Sequence, residues 1–308
     1  MKKDFPKNGI GLLCRLFGKT RHAYYDHQWR MEDDGIKDEL VLQQVLEIRK
    51  SLPRLGTAKL YYKLQSFLKA HQIKMGRDYL YNLMRKHQLD IRRRKRKALT
   101  TDSNHWMHKY SNLIEEMEVL KPECLWVSDI TYIKLPGQWG YLSLVTDAYS
   151  RKIMGYCLRT DLSVKGCLEA LGMAIDNRKY PERRLIHHSD RGAQYCCKEY
   201  VDLLIENKIA ISMTQKGDPY ENAIAERVNG ILKTEFSLHY SSVGYNQTKN
   251  KIAKSIDAYN NERPHASCDY LTPEQAHLDS GRLNKRWKDK PKIRAQNQNC
   301  IVQPGIIN

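Results

Sequence analysis

Two periodicities divide the chain. Up to about residue 90, apolar positions recur at helical spacing. Leu40, Val41, Val45 and Ile48 form one stripe, Leu60, Tyr61, Leu64 and Leu68 a second, and Leu80, Leu83, Met84 and His87 a third. Ser51-Leu-Pro-Arg-Leu-Gly56 separates the first stripe from the second, which Thr57 is placed to cap, and Gly76 turns the chain into the third. The third segment keeps Arg77, Tyr81, Asn82, Arg85 and Lys86 on its opposite face. Three short helices ending in a polar, basic one predict an all-α helix-turn-helix module over residues 36–91. A small bundle with a solvated basic face is the alternative.

From about residue 120 the period shortens. Leu125–Leu135, Tyr141–Ala148 and Lys152–Arg159 are runs of Val, Ile, Leu and Tyr divided by Pro136-Gly137 and Ser150-Arg151, as in an antiparallel meander. A helix over Ser163–Arg178 follows, with Ser163 at its N-cap, then a strand at Arg184–His188, a helix at Lys198–Asn207 and a strand at Ile209–Met213. Asp218-Pro219 opens a long helix through Phe236. That order is the one found in the ribonuclease-H-like α/β fold, a mixed sheet with helices on both faces. The division expected is a basic segment 1–35, the helix-turn-helix module 36–91, a basic linker and helix 92–119, a catalytic core 120–240, its C-terminal helical part 241–280 and a basic tail 281–308.

Composition narrows the class. No apolar run in the 308 residues approaches the ~18–20 that a membrane span needs. Ile10–Phe17 is short, interrupted by Arg15 and followed by no cleavage pattern, so secretion and insertion are not expected. A cytoplasmic, nucleoid-associated protein is the expectation. The eight cysteines form no Cys-x-x-Cys, which argues for reduced thiols and against zinc. Charge is uneven: residues 1–100 hold 24 Lys and Arg against 10 Asp and Glu, residues 101–280 hold 21 against 24, and residues 281–308 hold 7 against 1. A near-neutral centre between basic ends suits an enzyme that handles nucleic acid, although charge alone does not separate DNA from RNA or an acidic membrane. The steepest point is Arg92, Arg93, Arg94, Lys95, Arg96 and Lys97, read as a linker that follows phosphates, with a localisation signal as the alternative.

Three acids stand out by position. Asp129 lies inside the first strand, in Trp126-Val-Ser-Asp-Ile-Thr-Tyr132; Asp190 follows the fourth, in His187-His-Ser-Asp-Arg-Gly-Ala-Gln-Tyr195; Glu226 sits on the long helix. An acid inside an apolar strand is costly unless paired or bound to a cation. Asp190 lies at the carboxyl end of a strand, where open α/β sheets place their sites. Oxygen-only ligands select hard cations, so the expected cofactors are two Mg²⁺, with Mn²⁺ able to substitute. Asn222, Glu226, Asn229 and Lys233 fall on one helical face, a set suited to a metal and a phosphate. His187 and His188 precede Asp190. Either can donate a hydrogen bond to the site, and a core role is the alternative for His187.

Sixty residues separate Asp129 from Asp190 and thirty-five separate Asp190 from Glu226. With Glu221-Asn-Ala-Ile-Ala-Glu226, Lys233-Thr-Glu235, Tyr259-Asn-Asn-Glu-Arg-Pro-His265 and Leu271-Thr-Pro273, this pattern resembles the DDE transposase and retroviral-integrase superfamily. The likeness is greatest to bacterial insertion-sequence transposases with two overlapping reading frames, of which the second encodes the integrase-like protein. It spans roughly residues 36–280. Glu221 departs from the group, which usually has Asp there, and the His/Cys zinc module of retroviral integrases is missing. The resemblance implies a ribonuclease-H-like catalytic core, two divalent metals at Asp129, Asp190 and Glu226, and metal-dependent DNA cleavage and strand transfer without a covalent protein intermediate. It also implies double-stranded DNA partners (terminal repeats and target), a homo-oligomer that synapses as a dimer or tetramer, and an upstream-frame partner protein. Lys233 and Arg92–Lys97 are then expected on phosphates, and Tyr81, Asn82 and Arg85 on bases. A non-catalytic DNA-binding regulator and a nuclease that cuts without joining are the competing readings.

Overall fold

The computed structural model describes residues 6–91, 106–115, 117–215 and 222–284. Its N-terminal part is helical: α1 (Ile10–Leu16), α2 (Arg21–Ser51), α3 (Thr57–Ala70) and α4 (Arg77–Lys86). α2 starts where the Thr20 hydroxyl accepts from the Ala23 amide at 3.1 Å, and it runs unbroken through the boundary expected at residue 35. Three details of the expected stripes differ. Leu40 is 39% exposed, and Leu42 joins Val41 and Val45 in the core instead. Gly56, not Thr57, is the N-cap of α3, and Thr57 is buried in its first turn. His87 falls at the C-cap of α4 and is exposed, while Leu80, Leu83 and Met84 face inward. No helix occurs in the described part of 92–119. That stretch runs irregularly along the core, with Met107 and Tyr110 packed on one cluster and Ile114, Met117 and Val119 on another.

The core is a five-stranded sheet of β1 (Leu125–Leu135), β2 (Gln138–Asp147), β3 (Ile153–Arg159), β4 (Ile186–Ser189) and β5 (Ala210–Met213), in the order β3-β2-β1-β4-β5. The first three are antiparallel, and β4 and β5 run parallel to β1, as in the ribonuclease-H-like fold. Pro136-Gly137 closes the first hairpin, with Gly137 supplying the left-handed conformation at φ 71°. One face of the sheet, with Trp126, Val145 and Met154, packs on α5 (Val164–Asp176), the short α6 (Ala193–Cys196) and α7 (Lys198–Glu206). The other face, with Ile133, Leu135 and Leu144, packs on α8 (Ala223–Glu235) and α9 (Tyr245–Asn261). α5 approaches β3 so closely that a Cβ at Gly155 would lie 2.0 Å from the Ala170 carbonyl oxygen.

The helical module is docked on the second face. A single apolar cluster runs from Val45, Leu60 and Leu80 through Ile231 and Leu232 to Ile256 and Tyr259. Polar contacts reinforce the junction. Ser51 Oγ donates to Glu262 Oε2 at 2.5 Å, Lys63 Nζ to the Glu262 carbonyl at 2.9 Å, and the Arg54 amide to the Glu235 carbonyl at 3.1 Å. Glu235 at the end of α8 takes two bonds from buried Arg263, at 2.8 and 2.7 Å, and one from Lys59 of α3 at 3.1 Å. The core closes on itself at its C-terminus. α10 (Pro273–His277), begun by a Thr272–Gln275 capping box, delivers buried His277 to Glu123 at 3.1 Å and Ser150 at 3.0 Å. Beyond it the Gly281 amide donates to the Leu120 carbonyl at 2.8 Å. Among the described residues no helix is long and apolar enough to cross a membrane.

Candidate active site

Strand alternation places the first acid. β1 and β2 pair residue for residue from Trp126↔Asp147 to Leu135↔Gln138, so Asp129 sits opposite Leu144 and shares the face of Ile133 that meets α8. There the Asn229 side-chain amide of α8 donates to Asp129 Oδ2 at 2.7 Å, and the Ile130 amide donates to Oδ1 at 2.9 Å. Burial pushes the Asp129 carboxyl up, and the charges of Asp190 and Glu226 push it the same way. The two amide bonds oppose this incompletely, leaving it at about 7. The charges of two further acids, one just past a strand end and one on a helix, therefore reach Asp129.

Asp190 directly follows β4, the parallel neighbour of β1. Its Oδ1 accepts from the Gly192 amide at 3.0 Å, and a Cβ at Gly192 would stand 3.0 Å from that oxygen. Glu226 is exposed in the first turn of α8, where the positive end of the helix dipole favours a carboxylate. Two turns on, Lys233 is half-buried; burial lowers its pKa and the Asp129 charge raises it.

Several expected site residues sit otherwise. α8 begins at Ala223, and residues 216–221, including Asp218, Pro219 and Glu221, lie outside the described residues. Asn222 is therefore an N-cap and not a helical position. It is 7% exposed and donates to the Ser128 carbonyl at 3.1 Å, which takes it out of the DNA-contacting set. His188 does not bond Asp190: its Nδ1 meets Ser212 Oγ at 2.8 Å, and burial lowers its pKa to about 4, so it is neutral. His187 belongs to the core on the opposite face, with its Nε2 2.7 Å from Ser128 Oγ and 2.9 Å from Tyr200 OH. Tyr81, Asn82 and Arg85 are exposed on α4, whereas Arg92–Lys97 lie outside the described residues. Asn229 is the residue whose role sequence reasoning left unspecified. Its spacing of three from Glu226 put it on the right face, but only the β1–α8 packing shows which acid it holds.

The donors fit a hard dication. They are carboxylate oxygens whose mutual repulsion a positive ion relieves, and no Cys or His joins them. Among the described residues no group of three His, Cys, Asp or Glu side chains stands close enough to hold a single ion.

Comparison with known proteins gives the following similarities. The family model described as an integrase core domain matches residues 120–219, and a second of the same description matches residues 207–273. The "insertion element IS600 uncharacterized 31 kDa protein" of Shigella sonnei is 30% identical over 85% of this chain and 96% of its own length. The transposase InsF for insertion sequence IS3A of Escherichia coli K12 is 30% identical over 89% of this chain and 96% of its own. Among solved structures, the HTLV-2 integrase catalytic core domain in complex with magnesium is 20% identical, covers 52% of this chain and 99% of that one, and has a TM-score of 0.42.

Proposed function

The chain belongs to the integrase-core transposases of bacterial insertion sequences, and from that premise we propose that it cuts the ends of its own element and joins the freed 3′-hydroxyls to DNA at Asp129, Asp190 and Glu226. One arrangement supports the assignment of these residues: Asp129 on β1 is held at 2.7 Å by Asn229 of α8, the helix that carries Glu226, and Asp190 follows β4, the parallel neighbour of β1. Two Mg²⁺ or Mn²⁺ ions bound by these oxygens supply activation of the attacking oxygen and stabilisation of the leaving one. Asp129, Asp190 and Glu226 are the residues that would hold these ions. Asn229 fixes the orientation of Asp129 through its 2.7 Å bond, and Lys233 faces the phosphate being transferred.

The partners follow from this reading: double-stranded DNA as terminal repeats and target, and at least a second copy of the chain, since two ends must be brought together. A dimer or tetramer at synapsis, with an upstream-frame product assisting, is the proposed assembly. The helical module over 36–91 grips DNA, the core over 120–280 performs the chemistry, and the action takes place on chromosomal DNA in the cytoplasm.

The test uses labelled oligonucleotides carrying the element's own end, with Mg²⁺ or Mn²⁺, and compares the native chain with Glu226→Gln. Metal-dependent cleavage and joining that the variant lacks is the expected result. Nicks without joined strands would support a nuclease instead. Binding without cleavage, with and without the upstream-frame product and unaltered in the variant, would support a regulator.

A further inference from the structure

α4 and α8 are separated by well over a hundred residues, yet they line one groove. It has a volume of about 640 Å³, with Tyr81 and Arg85 contributed by α4, Arg227 and Lys233 by α8, and Arg54 and Lys59 by the start of the α3 region. A second depression of about 720 Å³ shares Arg54, Arg85 and Asp90 with it. The lining is cationic. Of its acids, Glu235 is neutralised by Arg263 and Lys59, which leaves Asp90.

Two of the cations are poised for an anion. The Lys233 ammonium makes no hydrogen bond or ion pair among the described residues. Among the described residues the Arg85 guanidinium makes one long bond, Nη1 to Asn82 Oδ1 at 3.4 Å. Tyr81, 40% exposed, adds a ring of the kind on which bases stack. Lys233 stands two turns along α8 from Glu226, and the Asp129 charge acts on it, so the α8 wall of the groove leads along one helix towards the acids. A cavity of this volume matches a pocket for a small ligand, enough for a short run of one nucleic-acid strand and too small to enclose a duplex.

We infer that the groove between α4 and α8 seats a single DNA strand, with phosphates on Arg85 and Lys233 and a base on Tyr81, as that strand reaches the acids. The helical module and the acids of one chain thereby hold the same stretch of DNA. This rests on the transposase reading for the identity of the nucleic acid.

The experiment titrates the full-length chain with a fluorescein-labelled single-stranded oligonucleotide about a dozen nucleotides long, in a chelator, across a salt series. Each phosphate contact contributes about 0.7 to the slope of log K against log salt for a single strand. Arg85→Ala and Lys233→Ala are each expected to reduce the slope by about 0.7, and the double variant by about 1.4. Lys198→Ala, at the exposed start of α7 on the other face of the sheet, leaves the slope unaltered. Tyr81→Ala weakens binding without altering the slope, and Tyr81→Phe restores it. Unaltered slopes in both Arg85→Ala and Lys233→Ala overturn the proposal. So does a loss confined to one wall, an equal loss in Lys198→Ala, or a loss seen only with a duplex probe. No cleavage takes place in the chelator, so failure of the native chain to cut DNA under the earlier test would end the catalytic reading and leave these slopes standing.

Discussion

Arg263→Met tests the junction between the helical module and the catalytic helix. Arg263 is 1% exposed and donates to both oxygens of Glu235, at 2.8 Å from Nε and 2.7 Å from Nη2. Burial pushes the Glu235 carboxyl up, but the bonds and charges of Arg263 and Lys59 outweigh it and hold the carboxyl below its ordinary range. Removing one partner of a buried pair typically costs about 3–5 kcal/mol, because the other charge is left without compensation. Lys59 stays 3.1 Å from Glu235 and takes over part of that compensation, so the lower end of the range applies, about 3 kcal/mol. For a chain that unfolds as a unit of some 150–250 residues this is a fall of roughly 6–12 °C in the thermal midpoint. Urea unfolding followed by tryptophan fluorescence, paired with calorimetry, reads both quantities. The logic also fixes a second result: replacing Arg263, Glu235 and Lys59 together by Met should cost less than Arg263→Met alone, since no orphan charge remains. A loss below about 1 kcal/mol for the single variant, or a triple variant less stable than the single, would refute the reasoning.

Lys59 gives a pH signature. Burial and the Arg263 charge lower its pKa from 10.5 to about 8, against the opposing pull of Glu235. Between those values the unfolded chain binds the extra proton, so this lysine makes stability rise with pH from about 8 towards 10.5. The difference in unfolding free energy between the native chain and Lys59→Met, measured at successive pH values, should therefore shift in favour of the native chain across that window; a constant difference contradicts it. A Cβ at Gly155 would also meet the Ala174 amide nitrogen at 2.7 Å, so Gly155→Ala forces α5 off the sheet and should cost about 3 kcal/mol or more by denaturation. Its control is Gly172→Ala on the same helix, where nothing lies within 4 Å of the new methyl and a gain of about 0.5–1 kcal/mol is expected. Asn229→Leu removes the amide that orients Asp129 and should lower cleavage at saturating DNA about 10–100-fold, with DNA affinity unaltered in a filter-binding assay.

The legible parts of the fold are those that local pattern dictates. The expected first strand coincides with Leu125–Leu135 because its alternation is long and Pro136-Gly137 ends it sharply. The same alternation puts Asp129 on the face of Ile133, which the structure turns towards α8. α2 was harder to read. Its N-terminal half carries Asp33, Asp34 and Gly35 and no apolar stripe, and the helix is carried through them by continuity with the buried half. Asn222 misled because a side chain just ahead of a helix looks periodic in sequence, whereas the chain turns there and its amide closes on Ser128. The quoted words also divide in a way spacing does not reveal. Those around Asp129, Asp190 and Glu226 surround the proposed site, while Tyr259–His265 is scaffold: Tyr259 OH donates to the Arg151 carbonyl at 3.0 Å, Asn260 clasps the backbone of Ile153 and Arg263 holds Glu235. Only packing between distant segments distinguishes the two kinds.

The hydrogen bond from Gly281 to Leu120 makes the entrance and the exit of the core coincide. A fold that begins and ends at one corner can have its attachments exchanged without a strand being moved, because whatever precedes or follows joins at the same place. The sheet with its acids is then a unit whose two chain ends leave side by side, so segments attached before and after it meet at that corner. The end of α8 sets the limit on such grafts. Ile231 and Leu232 share one buried cluster with the helical module, and Lys59 of that module adds a cation to the one Arg263 already gives Glu235, so any replacement must bring an apolar surface and a cation of its own.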